Sequence, residues 1–249
     1  MRTLRAGTRR AMLLRSLAVQ GSWNFRSLIG PGFAFALLPA LRDLYDGDEA
    51  RATEAARRHS GLFNCHPYVS PLALGAVATM EAAGEDPALI ERFKTAIRGS
   101  LGTLGDRTVW AGWRPVCLLL AIALVLLGAA WWIAVGVFLG VYNLGHGAIR
   151  VWSLRLGLAD GRRVAEKLRN TPISEAQRLL STAGAFLVGL VLPLAASGGL
   201  VGTRLATGWI VAALAAAAVA TRFGGRVRTP VVSLLLAATA VVILIEVLS

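Results

Sequence analysis

Only two cysteines occur in the 249 residues, Cys65 and Cys117, and neither has a second cysteine close by in sequence. That spacing excludes a C-x-x-C redox motif or a thiolate-built metal site. Charged residues make up only 16% of the chain, well under the usual quarter for a soluble domain. No acidic residue precedes Asp43. Histidine is scarce: His59, His66 and His146 have no zinc spacing, so no metal and no cofactor are expected. No nucleotide-binding glycine pattern, G-x-x-x-x-G-K-[S/T] or G-x-G-x-x-G after a strand, is present.

Apolar residues are 55% of the chain and mean hydropathy is +0.61. They cluster into long runs, which predicts an all-α, polytopic helical membrane protein. The net charge is +12. The arginines flank apolar runs with no DNA- or RNA-reading module around them, so nucleic acid is excluded and anionic lipid at the cytoplasmic face is the expected counter-charge. The arginine-rich start, with Met12, Leu13, Leu14 and Leu17, predicts an interfacial amphipathic helix, with a disordered basic tail as the alternative for the first ten residues.

Two apolar stretches are too short and too interrupted to span. One is 28–41, with Gly30-Pro31-Gly32 and Pro39; the other is 66–83, after Pro67 and Pro71. Both are expected to be broken, re-entrant helical hairpins. Asp48 and Asp86 read as helix N-caps, and Pro87 as the first residue of a short helix to Arg98. His59 follows two arginines on a helix expected to be solvated.

Gly99, Gly102 and Gly105 lie three apart and precede Asp106, which predicts a glycine-rich loop holding a carboxylate inside the protein. Val116–Gly140 carries no charge and is expected to be one span; 141–157 returns, and glycines between 136 and 147 supply the break. Further spans are expected at 179–200, 205–223 and 230–248. Three regions result: a cytoplasmic basic arm 1–27, a re-entrant core 28–115 and a transmembrane region 116–249. The positive-inside rule then places the N-terminus in the cytoplasm and the C-terminus outside.

Several motifs carry a family resemblance. QGSWNF at 20–25, GFAFALLPALRDLY at 32–45, RRH at 57–59 ahead of FNCHPY at 63–68, LGTLGD at 101–106, Trp110 and Arg114-Pro115 resemble the membrane subunit IID of the mannose/fructose/sorbose family of phosphoenolpyruvate-dependent sugar phosphotransferase systems. The resemblance implies a bacterial inner-membrane sugar permease component. It implies a IIC membrane partner, cytoplasmic IIB and IIA components that carry the phosphate, and a trimer of IIC–IID heterodimers. IID itself is not a phosphocarrier in that family, which implies no catalytic residue here.

Asp106 is the leading site candidate, as an acceptor for sugar hydroxyls or as a loop-fixing carboxylate. Asn64, His66, Trp110 and Arg114 are its candidate neighbours, for substrate contact or for holding the loop. Arg107 after Asp106 departs from the family pattern, and so does the missing loop proline. A degenerate regulatory or scaffold protein descended from such a subunit is therefore the competing expectation.

Overall fold

The computed structural model describes residues 4–169 and 173–196, and every described element is helical. The expected spans at 205–223 and 230–248, their arginine loop and the outward C-terminus lie outside the described residues.

Helix α1 (Ala6–Arg15) starts without a cap of its own. Asp43, from α2 (Gly30–Tyr45), supplies one: its carboxylate accepts from the Arg5 backbone N–H at 3.0 Å and from Thr8 Oγ1 at 2.7 Å. Residues 6–10 are therefore helical and not a disordered tail. Pro31 sits in the first turn of α2, where its missing N–H is harmless, and the helix continues through Pro39. Asp48 caps α3 (Glu49–His59) by accepting from Arg51 N at 3.0 Å. Asp86 caps α5 (Pro87–Gly105) through Ala88 N at 2.9 Å. Both caps match the sequence reading.

Between them lies α4 (Ser70–Ala82), buried on all sides from Ser70 to Ala78. A helix apolar all round belongs in a core. Its own Leu72 and Leu74 are completely enclosed, as are Phe33, Leu37, Leu41 and Phe63 of the same core. Burial of each such side chain is worth roughly 1.5–3 kcal/mol.

The segment after α5 corrects the sequence reading. Gly99, Gly102 and Gly105 lie within α5, not in a loop, and α5 does not end at Arg98. A π-helical segment, Asp106–Trp113, carries the chain into α6 (Arg114–Leu126). The uncharged stretch 116–140 is likewise not one span. It breaks after Leu126, and α7 (Trp131–Asp160) runs unbroken through Gly136, Gly140, Gly145 and Gly147. A 3-10 turn at Gly161–Arg163, α8 (Val164–Arg169) and α9 (Ile173–Ala196) follow. Three continuous helical stretches among the described residues are long and apolar enough to cross a membrane: Pro87–Leu126, Trp131–Leu168 and Glu175–Leu192.

The helices group into two units. The first holds residues up to Arg107 and Leu144–Pro172, and its core is built on α2, α4 and α5. In it Gly75 of α4 and Gly157 of α7 let the two helix backbones touch. The second holds Thr108–Asn143 and the described residues from Ile173. There α6 packs along α9, Gln177 Nε2 donates to Thr108 Oγ1 at 3.0 Å, and Trp113 Nε1 donates to the Tyr142 carbonyl at 3.3 Å. Trp131 and Trp132 stand outward on this unit, 72% and 62% exposed.

Candidate functional site

The first unit brings two separated motifs together. Pro67 ends the extended run 64–66, and the His66 carbonyl then accepts from Val69 N and Ser70 N at 3.2 and 3.0 Å, turning the chain into α4. The same histidine's Nδ1 accepts from Tyr68 N at 3.2 Å. That bond fixes the neutral ring with its proton on Nε2. His66 is buried, and Gly105 lies directly against its ring: a β-carbon there would overlap the His66 Cβ and Cγ. Only glycine at 105 allows the approach.

From His66 a ladder of side chains runs inward. The Tyr68 ring meets the His66 ring edge-on at 5.2 Å and stacks on His146 at 3.9 Å. Arg150 lies 5.3 Å over the Tyr68 ring and donates from Nε to His146 Nε2 at 2.6 Å. Its Nη1 donates to the Ser16 carbonyl and hydroxyl at 2.8 and 3.0 Å. Arg150 is 4% exposed in the middle of an apolar helix, where an ionisable group marks a function or a structural tie. Burial pushes the His66 imidazole down to about 4. The charge of Asp106 pulls the other way, and that of Arg150 adds to the burial effect. His66 is therefore a neutral hydrogen-bonding group near neutral pH.

The sequence candidates divide accordingly. His66, Gly105 and Asp106 come together, with Asp106 exposed at the head of the π-helical segment. Trp110 and Arg114 pair with each other in the second unit, the guanidinium 4.7 Å from the ring centroid. One face of Trp110 is thus already covered. Asn64 is exposed, and nothing crowds Gly99 or Gly102. Tyr68, Arg150 and Ser16 were not singled out from sequence, although an arginine inside a predicted span was a usable signal for Arg150.

A second polar cluster surrounds Glu81 on α4. Its carboxylate accepts from Tyr45 Oη at 2.8 Å and Arg58 Nη2 at 2.7 Å, and His59 Nε2 bonds it at 2.8 Å. Burial alone would raise the Glu81 carboxyl, but the bonds from His59, Tyr45 and Arg58 outweigh it and hold the group down to about 2. Burial lowers His59, so a neutral ring donating Nε2–H to a charged Glu81 is the consistent state. His59 is 1% exposed, which corrects its expected place on a solvated face and removes it as an accessible nucleophile. Lys94 is completely buried nearby, donating to Glu91 at 2.9 Å.

A profile of the family described as "PTS system mannose/fructose/sorbose family IID component" matches residues 3–197. The chain belongs to that family. The mannose-specific EIID component of Escherichia coli K12 is 29% identical over 188 residues, covering 74% of this chain and 66% of the relative. The fructose permease IID component of Bacillus subtilis is 28% identical, covering 73% of this chain and 67% of its own length. The chain thus spans about two-thirds of the length of these curated relatives. Among solved structures, a chain of the mannose transporter ManYZ in complex with microcin E492 superposes with a TM-score of 0.60 at 27% identity, covering 78% of this chain and 72% of that one. A second solved membrane protein gives a TM-score of 0.68 at 28% identity, covering 77% of this chain and 71% of that one. As a IID family member this is a multi-pass, all-α membrane protein with broken helices, and both segments that meet at His66 and Gly105 lie inside the matched region.

Proposed function

We propose that this chain is the IID membrane component of a phosphotransferase sugar permease. With a IIC subunit it carries a hexose-type sugar through the bacterial inner membrane. Separate IIA and IIB components phosphorylate that sugar, so phosphoryl transfer belongs to them. The observation that carries the reading is the family match over residues 3–197. The named relatives are a mannose-specific component and a fructose permease component, which supports a hexose-type substrate. Beyond Arg107 and the missing loop proline, nothing among the described residues favours a degenerate scaffold.

In this reading the exposed Asp106 carboxylate accepts hydrogen bonds from sugar hydroxyls, and His66 holds Gly105 and thereby the start of the π-helical segment. Asn64, Trp110 and Arg114 contribute to holding that region. Helices α2 and α4, 16 and 13 residues long, are shorter than the ~20 residues a span needs and enter the bilayer only part-way. Helix α1 lies at the interface with Leu14 exposed beside its arginines, facing anionic headgroups. The uncharged turn at 127–130 faces outward, and Arg92 and Arg98 of α5 with Arg162, Arg163 and Lys167 after α7 lie on the cytoplasmic side, which puts the N-terminus inside. Three IIC–IID pairs form the complete permease.

The test is uptake of radiolabelled mannose, fructose and sorbose by cells that have no other phosphotransferase permease and express this chain with its IIC, IIB and IIA partners. At least one sugar should accumulate, and Asp106→Asn should reduce its uptake about tenfold, the loss of roughly one charged hydrogen bond. No uptake of any of the three, with all components assembled in the membrane, overturns the reading. Unchanged uptake in Asp106→Asn removes Asp106 from the site.

A further inference from the structure

A groove of about 610 Å³ lies between α1 and α7 in the first unit. Its α1 wall is a single helical stripe, Ala6, Arg9, Arg10 and Leu13, spaced three and four apart. Its α7 wall is another, with Leu154, Arg155 and Leu158. Three arginines therefore share one concavity with a leucine floor, and no acidic residue lines it. Arg9, Arg10 and Arg155 are exposed, and none of them has an ion-pair partner among the described residues. The nearby acidic group of α2, Asp43, is already committed to Arg5 and Thr8.

The groove's position adds to this. Arg155 lies toward the C-terminal end of α7, which Arg162, Arg163 and Lys167 follow, while the other end of the span opens on the uncharged 127–130 turn. The basic end of a span is the level of the cytoplasmic headgroups. A ligand that fits must present a negative charge to three guanidiniums and hydrocarbon to the leucines. A phosphodiester with acyl chains does both; a soluble anion would leave the leucine floor wet.

We infer that this groove is a specific site for one anionic phospholipid, whose headgroup phosphate is held by Arg9, Arg10 and Arg155 and whose chains lie on Leu13, Leu154 and Leu158. The lipid clamps the N-terminal helix to the second span at the membrane surface. The inference deepens the lipid contact proposed above and rests on the membrane location alone. Its failure would leave the transport reading standing, and a failure of uptake would leave the lipid site standing.

Native mass spectrometry of the full chain in detergent, titrated with phosphatidylglycerol, tests it. One retained lipid per chain is expected, with phosphatidylcholine of the same chain length retained far less. Arg9→Gln/Arg10→Gln/Arg155→Gln should weaken phosphatidylglycerol retention about a hundredfold, at roughly fivefold per arginine. Arg51→Gln/Arg57→Gln/Arg92→Gln, an equal charge change on exposed sites away from the groove, should leave it unchanged. Equal retention by the groove variant and the control variant overturns the inference, as does equal retention of phosphatidylcholine. Displacement of the lipid by glycerol phosphate at comparable concentration would make a free anion the occupant and overturn it as well.

Discussion

Gly75 and Gly157 face each other where α4 crosses α7. A methyl group on Gly75 would come within 2.7 Å of both the Leu154 carbonyl oxygen and the Leu158 nitrogen, and one on Gly157 would collide with the Leu72 carbonyl oxygen. The obstacle in each case is backbone, which cannot rotate away. Gly75→Ala and Gly157→Ala are each expected to destabilise the first unit by about 2 kcal/mol or more. Melting in detergent checks this, and an unchanged Tm for both would show that the helices separate at little cost.

The three glycines before Asp106 should behave differently from one another. Gly105 has the His66 ring against it, while Gly99 and Gly102 have open space where a side chain would go. Gly105→Ala should lower stability by about 1–3 kcal/mol and impair uptake. Gly99→Ala and Gly102→Ala should raise helix stability by about 0.5–1 kcal/mol each, since both lie inside α5. Thermal melts of the three single variants decide it.

Arg150 should resist conservative replacement. It uses Nε on His146 and Nη1 on Ser16 at once, a two-direction fork that an ammonium group does not reproduce. Arg150→Met is expected to destabilise by about 2–5 kcal/mol, because it strands the buried Ser16 acceptors. Arg150→Lys should recover only part of that. Melting curves of both variants provide the check, and full recovery by lysine would reduce the site to a point charge.

The Glu81 cluster predicts acid sensitivity with a definite sign. The folded carboxyl sits at about 2, below its ordinary value of 4.5. The stabilisation is complete above about 4.5 and is lost as the pH falls toward 2. Glu81→Gln should remove that part of the acid slope and cost about 2–4 kcal/mol at neutral pH, by taking away the charge that Arg58 pairs with and setting an amide NH2 where one of the accepting oxygens stood. Chemical or thermal unfolding measured from pH 6 to pH 3 follows both effects.

Local signals were readable from sequence wherever one residue type does one job. Asp48 and Asp86 cap the helices that follow them, and Pro87 sits in a first turn. The break at 127–130 was not readable, because Leu127, Gly128, Ala129 and Ala130 are as apolar as the helices they join. The glycine-rich loop was misread for a related reason. Glycine is punctuation in water, but in a membrane helix it is also a packing residue, and spacing alone does not separate the two uses. The partnership of Tyr68 and His146 depends on a fold that places α7 beside the turn into α4, and no local pattern encodes it. His59 looked solvated because its neighbours are arginines, while the carboxylate that buries it sits on another helix.

The bond between Ser16 and Arg150 joins residues 134 positions apart. While the chain is being made, the hydroxyl and carbonyl at position 16 emerge long before the guanidinium that will satisfy them. The N-terminal helix, already tied to α2 through Asp43, therefore gains this second tie only when the second long span has been delivered to the bilayer. A truncated product that ends before that arginine leaves the buried Ser16 oxygens without this donor.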